Sequence, residues 1–114
     1  MAKWTSSDGK QVSVLGTTYT IRIVEPDRCI DCDGWCDFST KEVFVKDFEP
    51  DPEAMKDLAY YTAKVIRHEL IHAMLYESGH HCNCAWATDE SLVDYIALMF
   101  PKMAEMFTQA DSTR

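Results

Sequence analysis

The residues with the clearest chemical meaning are His68-Glu69-Leu70-Ile71-His72. On a helix, residues four apart stand one turn above each other, so the two imidazoles can converge on one ion, with nitrogen–metal bonds of about 2.0–2.1 Å. Glu69 lies at the edge of the same face, where it can act on a water carried by that ion. The bland reading is a pair of polar histidines on a solvated face. Val65, Ile66, Leu70 and Ile71 around them speak against it, and a buried, unpartnered imidazole would be costly.

A catalytic zinc generally takes three protein ligands and leaves one position for water. The third ligand can come from Glu90, from Asp94 one turn later, or from His80, His81, Cys82 or Cys84 in the loop between His72 and Glu90. If the helix bearing Glu90 packs antiparallel to the histidine helix, its first turn comes level with the histidines, which favours Glu90. Asp94 is then placed to accept a hydrogen bond from the far nitrogen of a ligating imidazole, fixing its tautomer. The plain alternative for both is an acidic first turn favoured by the helix dipole.

Cys29-Ile-Asp-Cys32 and Cys82-Asn-Cys84 form two short knuckles flanking the histidine helix, and four thiolates would suit a second, structural zinc. The second knuckle is tighter than the usual two-residue gap, so free thiols, a disulfide or a site using His80 or His81 stay open. Cys36, with Trp35 and Phe38 as neighbours, reads as a lone thiol in an apolar setting.

These residues need elements to hold them. Gln11–Leu15 and Thr17–Val24, separated by Gly16, read as a hairpin in which Tyr19, Ile21 and Ile23 alternate with polar neighbours. Pro26 ends the second strand. A Cys/Asp/Gly-rich loop from Asp27 to Asp37 follows, and Glu42–Lys46 returns as a third short strand. From Glu53 the spacing becomes helical, with Leu58, Thr62, Val65, Ile66, Leu70 and Met74 on the apolar stripe. Asp51 is placed to cap this helix, Pro52 to open it and Gly79 to stop it after Glu77. His80 to Ala87 reads as a loop. A second helix starts near Thr88 with the stripe Leu92, Ile96, Met99, Met103 and Met106, and Pro101 should kink it or begin a new helical segment because it cannot donate to the carbonyl of Ala97. Tyr95, Phe100 and Phe107 join that stripe as expected core, with an exposed contact patch for a partner or a second copy as the alternative. The expectation is one α+β domain over residues 1–114: an antiparallel sheet of about three strands packed on two main helices.

Composition excludes several classes. The 114 residues are 46% hydrophobic and 26% charged, an ordinary globular balance. Nineteen acidic against eleven basic residues give a net charge of −8, which opposes non-specific binding to nucleic acid. The longest apolar run, Tyr95–Phe100, is far too short to cross a bilayer, and Met1–Lys10 has no secretory core. With five cysteines, an odd number, the expected compartment is the cytoplasm and the expected cysteine chemistry is thiol or metal ligation.

His68-Glu-Leu-Ile-His72 followed by Glu90-Ser-Leu-Val-Asp94 resembles the gluzincin arrangement. The stretch from Trp35 to Met106 is similar to the compact gluzincin-like metallopeptidases, or minigluzincins, encoded by tailed phages and prophages. The resemblance implies a zincin-like fold, zinc held by His68, His72 and Glu90, Asp94 behind them, Glu69 as general base, and Trp35–Val45 as a rim strand beside the metal. It also implies a peptide or protein substrate and a bacterial host cell. Cys29, Cys32, Cys82 and Cys84 depart from the family pattern. Tyr60, Tyr61, Tyr76, His80 and His81 are the donors open for stabilising an oxyanion. The competing readings are a zinc-stabilised interaction module with a closed fourth position and a thiol redox protein using Cys29 and Cys32.

Overall fold

The structure, a computed structural model, describes residues 2–54 and 57–114. Four strands, β1 (Gln11–Val14), β2 (Thr17–Val24), β3 (Gly34–Asp37) and β4 (Glu42–Lys46), precede the helices α1 (Leu58–Glu77), α2 (His80–Asn83) and α3 (Glu90–Gln109). The class is α+β, a sheet packed on two long helices.

The β1–β2 hairpin forms where expected, and Leu15 and Gly16 at its tip both take positive φ (50° and 92°), as a tight two-residue turn between right-twisted strands requires. The sheet order is β1-β2-β4-β3. It is mixed where an antiparallel sheet was expected, because β4 pairs in parallel with β2, Ile21 opposite Val43 and Ile23 opposite Val45. Part of the expected Asp27–Asp37 loop is β3, antiparallel to β4, with Trp35 stacked on Phe44 at 4.5 Å. Inward residues alternate along β2 and β4: Tyr19, Ile21, Val43 and Val45 are buried against Val65, Ile66 and Ala73 of α1.

Helix α1 starts later than its periodicity suggested. Asp57 caps it, accepting from the Tyr60 N–H at 3.0 Å, whereas Asp51 only closes a turn through the Glu53 N–H. Pro52 disfavours helical backbone at Asp51, which fits a turn there; the expected helical run also covered Met55 and Lys56, which lie outside the described residues. The helix ends at Glu77, followed by Ser78 and by Gly79 with φ 85°. Glu77 carries a negative charge at a helix C-terminus, an unfavourable place for one, and is held by Tyr19 Oη (2.7 Å), Lys41 Nζ (2.8 Å) and Thr17 Oγ1 (2.9 Å). The lysine first, then the tyrosine, lowers its pKa to about 2, and this knot ties α1 to the sheet.

The expected loop after Gly79 holds two helical turns, α2 and a 3-10 turn at Ala85–Thr88, and α3 is capped by Asp89 instead of Thr88. Asp89 accepts from the N–H groups of Ser91 and Leu92, leaving Glu90 as the first helical residue. Helix α3 runs on through Pro101. The Ala97 carbonyl that Pro101 cannot serve accepts instead from Arg67 Nε at 2.7 Å, so a neighbouring helix supplies the missing donor.

Candidate metal centre

Contacts between α1 and α3 run in opposite directions along the two chains: Lys64 and His68 meet Asp94, and His72 meets Glu90. The helices are therefore antiparallel, and the first turn of α3 stands beside the histidines. His68 Nε2 lies 2.9 Å from Glu90 Oε2, His72 Nε2 lies 2.9 Å from Glu90 Oε1, and the two Nε2 atoms are 3.2 Å apart. Among the described residues these three are the group of His, Cys, Asp and Glu atoms close enough to share an ion. Bonds of about 2.0–2.1 Å in a tetrahedron separate ligand atoms by roughly 3.3–3.4 Å; the two imidazole nitrogens are near that spacing, while the 2.9 Å contacts reach different oxygens of Glu90, and one ligand atom from each residue lies within 4.8 Å of the others.

Proton placement supports the fit. Asp94 is held below the usual carboxylate range, first by the Lys64 ammonium at 3.0 Å, so it can only accept. The contact from His68 Nδ1 to Asp94 Oδ1, 3.1 Å, therefore puts a proton on Nδ1. In neutral His68 the Nε2 then presents a lone pair to a carboxylate oxygen and to another imidazole nitrogen. Acceptors this close need something positive between them, a metal ion or a proton such as the N–H of a His72 in its Nε2–H tautomer. Burial is the main cause lowering the His72 pKa, which keeps that imidazole in its ligating, neutral form.

Glu69 is 7% exposed, and burial pushes its pKa up to about 7 despite the opposing effect of His68. Over it lies β3. A Cβ on Gly34 would stand 2.5 Å from the Phe44 carbonyl oxygen, 3.1 Å from Val65 and 3.4 Å from Glu69, so only glycine lets this edge strand come down onto α1. Two cavities open beside the centre. One of about 240 Å³ is bounded by Asp33, Lys64, His68, Glu69 and Asp94. The other, about 270 Å³, is bounded by Trp35, Phe38, Glu69, His72 and His81. Glu90, 69% exposed at its side chain, borders both.

Of the five oxyanion donors open in the sequence, His81 lines the second cavity, and its Nδ1 is buried without a partner. Tyr76 is instead stacked on Phe38, His80 lies by Ser78 and Trp86, Tyr60 is exposed, and the Tyr61 hydroxyl donates to Asp33. Lys64, Asp33 and Gly34 were not singled out by sequence. Lys64 was the findable one, since it sits one turn before His68.

The four-cysteine site is not formed. Cys29 and Cys32 are bonded to each other, their Cα atoms 5.5 Å apart, while Cys82 is exposed and Cys84 half-buried, both free. A disulfide has no thiolate to offer, so a second, structural zinc has no ligand set among the described residues. Cys36 is free and half-buried, and burial pushes its thiol up to about 12, far from a reactive thiolate. No protein-family model, curated protein or solved structure matches this chain.

Proposed function

We propose that the protein is a zinc-dependent peptidase, with His68, His72 and Glu90 as metal ligands and Glu69 as general base. The observation that carries this reading is the convergence of His68, His72 and Glu90, the imidazole nitrogens 3.2 Å apart and each 2.9 Å from one oxygen of the Glu90 carboxylate, directly beside a buried glutamate whose pKa is pushed up to about 7. Bound there, zinc supplies a Lewis acid and brings the pKa of a water in its open position towards about 7. Glu69 accepts the proton of the attacking water and passes it to the leaving amine; a base with a pKa near the working pH is suited to both transfers. Asp94 holds the His68 ring through Nδ1, and Lys64 keeps Asp94 ionised. His81 is the donor available to the carbonyl oxygen as it gains charge. The sheet order leaves β3 at an edge beside the centre, so an extended peptide can be held by adding a strand.

Three converging donors, with no fourth among the described residues, favour an open site over a closed structural one. The Cys29–Cys32 bond is the one observation on the side of a thiol redox role, but that role leaves the histidine–carboxylate triangle without a purpose. We place the activity in the cytoplasm, where this disulfide would be reducible.

Calorimetric zinc titration combined with hydrolysis of fluorescein-labelled casein tests the reading. One zinc per chain is expected in the native protein, in Glu69→Gln and in Cys82→Ala, and none in His72→Ala. Casein cleavage should fall by about 10²–10⁴-fold in Glu69→Gln, the range for losing a general base. Zinc binding that survives His72→Ala, or cleavage indifferent to Glu69→Gln, overturns it.

A further inference from the structure

The Cys29–Cys32 disulfide ends beside the metal centre. Cys32 borders the first cavity together with His68, Glu69, Glu90 and Asp94, whereas Cys29 is not on its wall. The path of the chain accounts for this. Gly34 rests on Glu69, and two residues of extended chain span at most about 7 Å, so the Cα of Cys32 stays within that distance of Gly34.

The segment around Cys32 is anchored at both ends and held by little between them. After it, the Asp33 carbonyl accepts from the Lys46 N–H at 3.0 Å, and the Asp33 carboxylate accepts from the Tyr61 hydroxyl. Before it, the Cys29 N–H donates to the Pro26 carbonyl at 3.4 Å. Among the described residues, Ile30, Asp31 and Cys32 make no backbone hydrogen bond, and Ile30 is 83% exposed. The disulfide therefore does most to fix this stretch, whose local stability is otherwise low.

Reduction changes two things at once: it frees the segment, and it turns an inert sulfur on the cavity wall into a thiol. A disulfide sulfur offers zinc no thiolate, while a thiolate is a favoured ligand at about 2.3 Å. His68, His72 and Glu90 supply three donors, and no fourth joins them among the described residues. Cys36 borders the second cavity, but it is a free thiol packed against the core of sheet and α1, with no bond to release it. Cys82 and Cys84 border neither cavity.

We propose, resting on the reading of this site as a zinc centre, that Cys32 is a redox-controlled fourth ligand. Oxidised, it is tied to Cys29 and the centre is open; reduced, its thiolate binds the metal and closes it. A cellular dithiol supplies the two electrons and two protons that convert the Cys29–Cys32 bond into two thiols, and itself becomes a disulfide. Cys32 releases its proton to solvent on joining the metal. Exchange with the oxidised form of the same carrier reverses the step. In the cytoplasm, where thiols are kept reduced, the closed form is the resting state and cleavage follows oxidation.

Cobalt(II) is the probe, because a thiolate bound to it adds an intense charge-transfer band in the near ultraviolet, while its weaker visible bands report bound metal. Spectra are taken with and without a phosphine, which reduces the disulfide, becomes a phosphine oxide with oxygen from water, and brings no thiol of its own. The native chain should gain the band on reduction and lose it on reoxidation. Cys29→Ser, which leaves Cys32 free, should show it without reductant, and Cys32→Ser should never show it. Both variants lose the same tether, so the contrast between them separates ligation from unfolding. Casein cleavage by the zinc-loaded native chain should be lost on reduction. A band that survives Cys32→Ser overturns the proposal, as does cleavage indifferent to the phosphine. Visible bands that need His72 but gain no thiolate band on reduction also overturn it and leave the peptidase reading standing. A thiolate band in a chain that cleaves nothing in either state supports the ligand and overturns the peptidase. Visible bands absent in both states, or unchanged in His72→Ala, overturn both.

Discussion

Glu69, the general base of the proposed mechanism, also sets how the metal-free protein responds to pH. Its pKa rises from 4.5 to about 7 on folding, so the folded chain holds a proton that the unfolded chain has released. The stability from that proton is complete below pH 4.5 and gone once pH has passed about 7. Any fall in the urea midpoint of the metal-free protein from pH 5 to pH 8 should therefore be larger in the native chain than in Glu69→Gln, where His72, whose pKa burial lowers, still acts in the opposite sense. Equal pH dependence in the two would mean that Glu69 is ionised and solvated, unfit as the base. At this scale the sequence was informative: His68, Glu69, His72, Glu90 and Asp94 all meet where their spacing placed them. It was uninformative for Lys64 and Gly34, whose roles depend on what packs against them and not on their own chemistry.

At the scale of elements, Pro101 and Arg67 form a compensating pair. A proline within a helix leaves a carbonyl orphaned and normally costs about 3 kcal/mol or more, yet α3 is continuous because Arg67 reaches across from α1. Arg67→Met should destabilise the chain by roughly 1–3 kcal/mol, the cost of a buried acceptor without a donor. In a Pro101→Ala background an N–H is restored to the Ala97 carbonyl, and the cost should fall by about 1 kcal/mol. Additive effects in chemical denaturation would show that the Arg67 contact does not serve that carbonyl. Sequence flagged the orphaned carbonyl and allowed for a new helical segment at Pro101, which does not form; it could not supply the rescuing donor, which lies thirty positions away. The helix starts were misread for a local reason: Asp51 and Asp57, like Thr88 and Asp89, are all competent caps, and only the backbone path selects between them.

At the scale of the whole molecule, the site joins α1 to α3, and Glu90 is the most exposed of its members. A cation bound there should link the two helices and stabilise the fold by mass action. Free zinc at one hundred times its dissociation constant adds about 2.7 kcal/mol, roughly 10 °C in melting temperature for a chain of this size, reversed by a chelator and absent in His72→Ala. A melting temperature unmoved by zinc, or moved equally in His72→Ala, would sink this coupling. Sequence by itself determined the α+β class, the hairpin, the end of α1 and which residues converge in the candidate metal site, because periodicity, turn residues and one-turn spacing are local properties of the chain. Tertiary structure decided the parallel β2–β4 pair, the Cys29–Cys32 bond and which faces of the helices are buried. Those outcomes rest on contacts between segments remote in sequence or on the path of an irregular loop. The apolar stripe of α1 is buried as expected at Leu58, Thr62, Val65 and Ile66 and emerges only at Met74, whereas α3 turns Val93 and Ala97 inward, on the side where Glu90 and Asp94 meet α1, and leaves the expected core residues Phe100, Met106 and Phe107 on the surface.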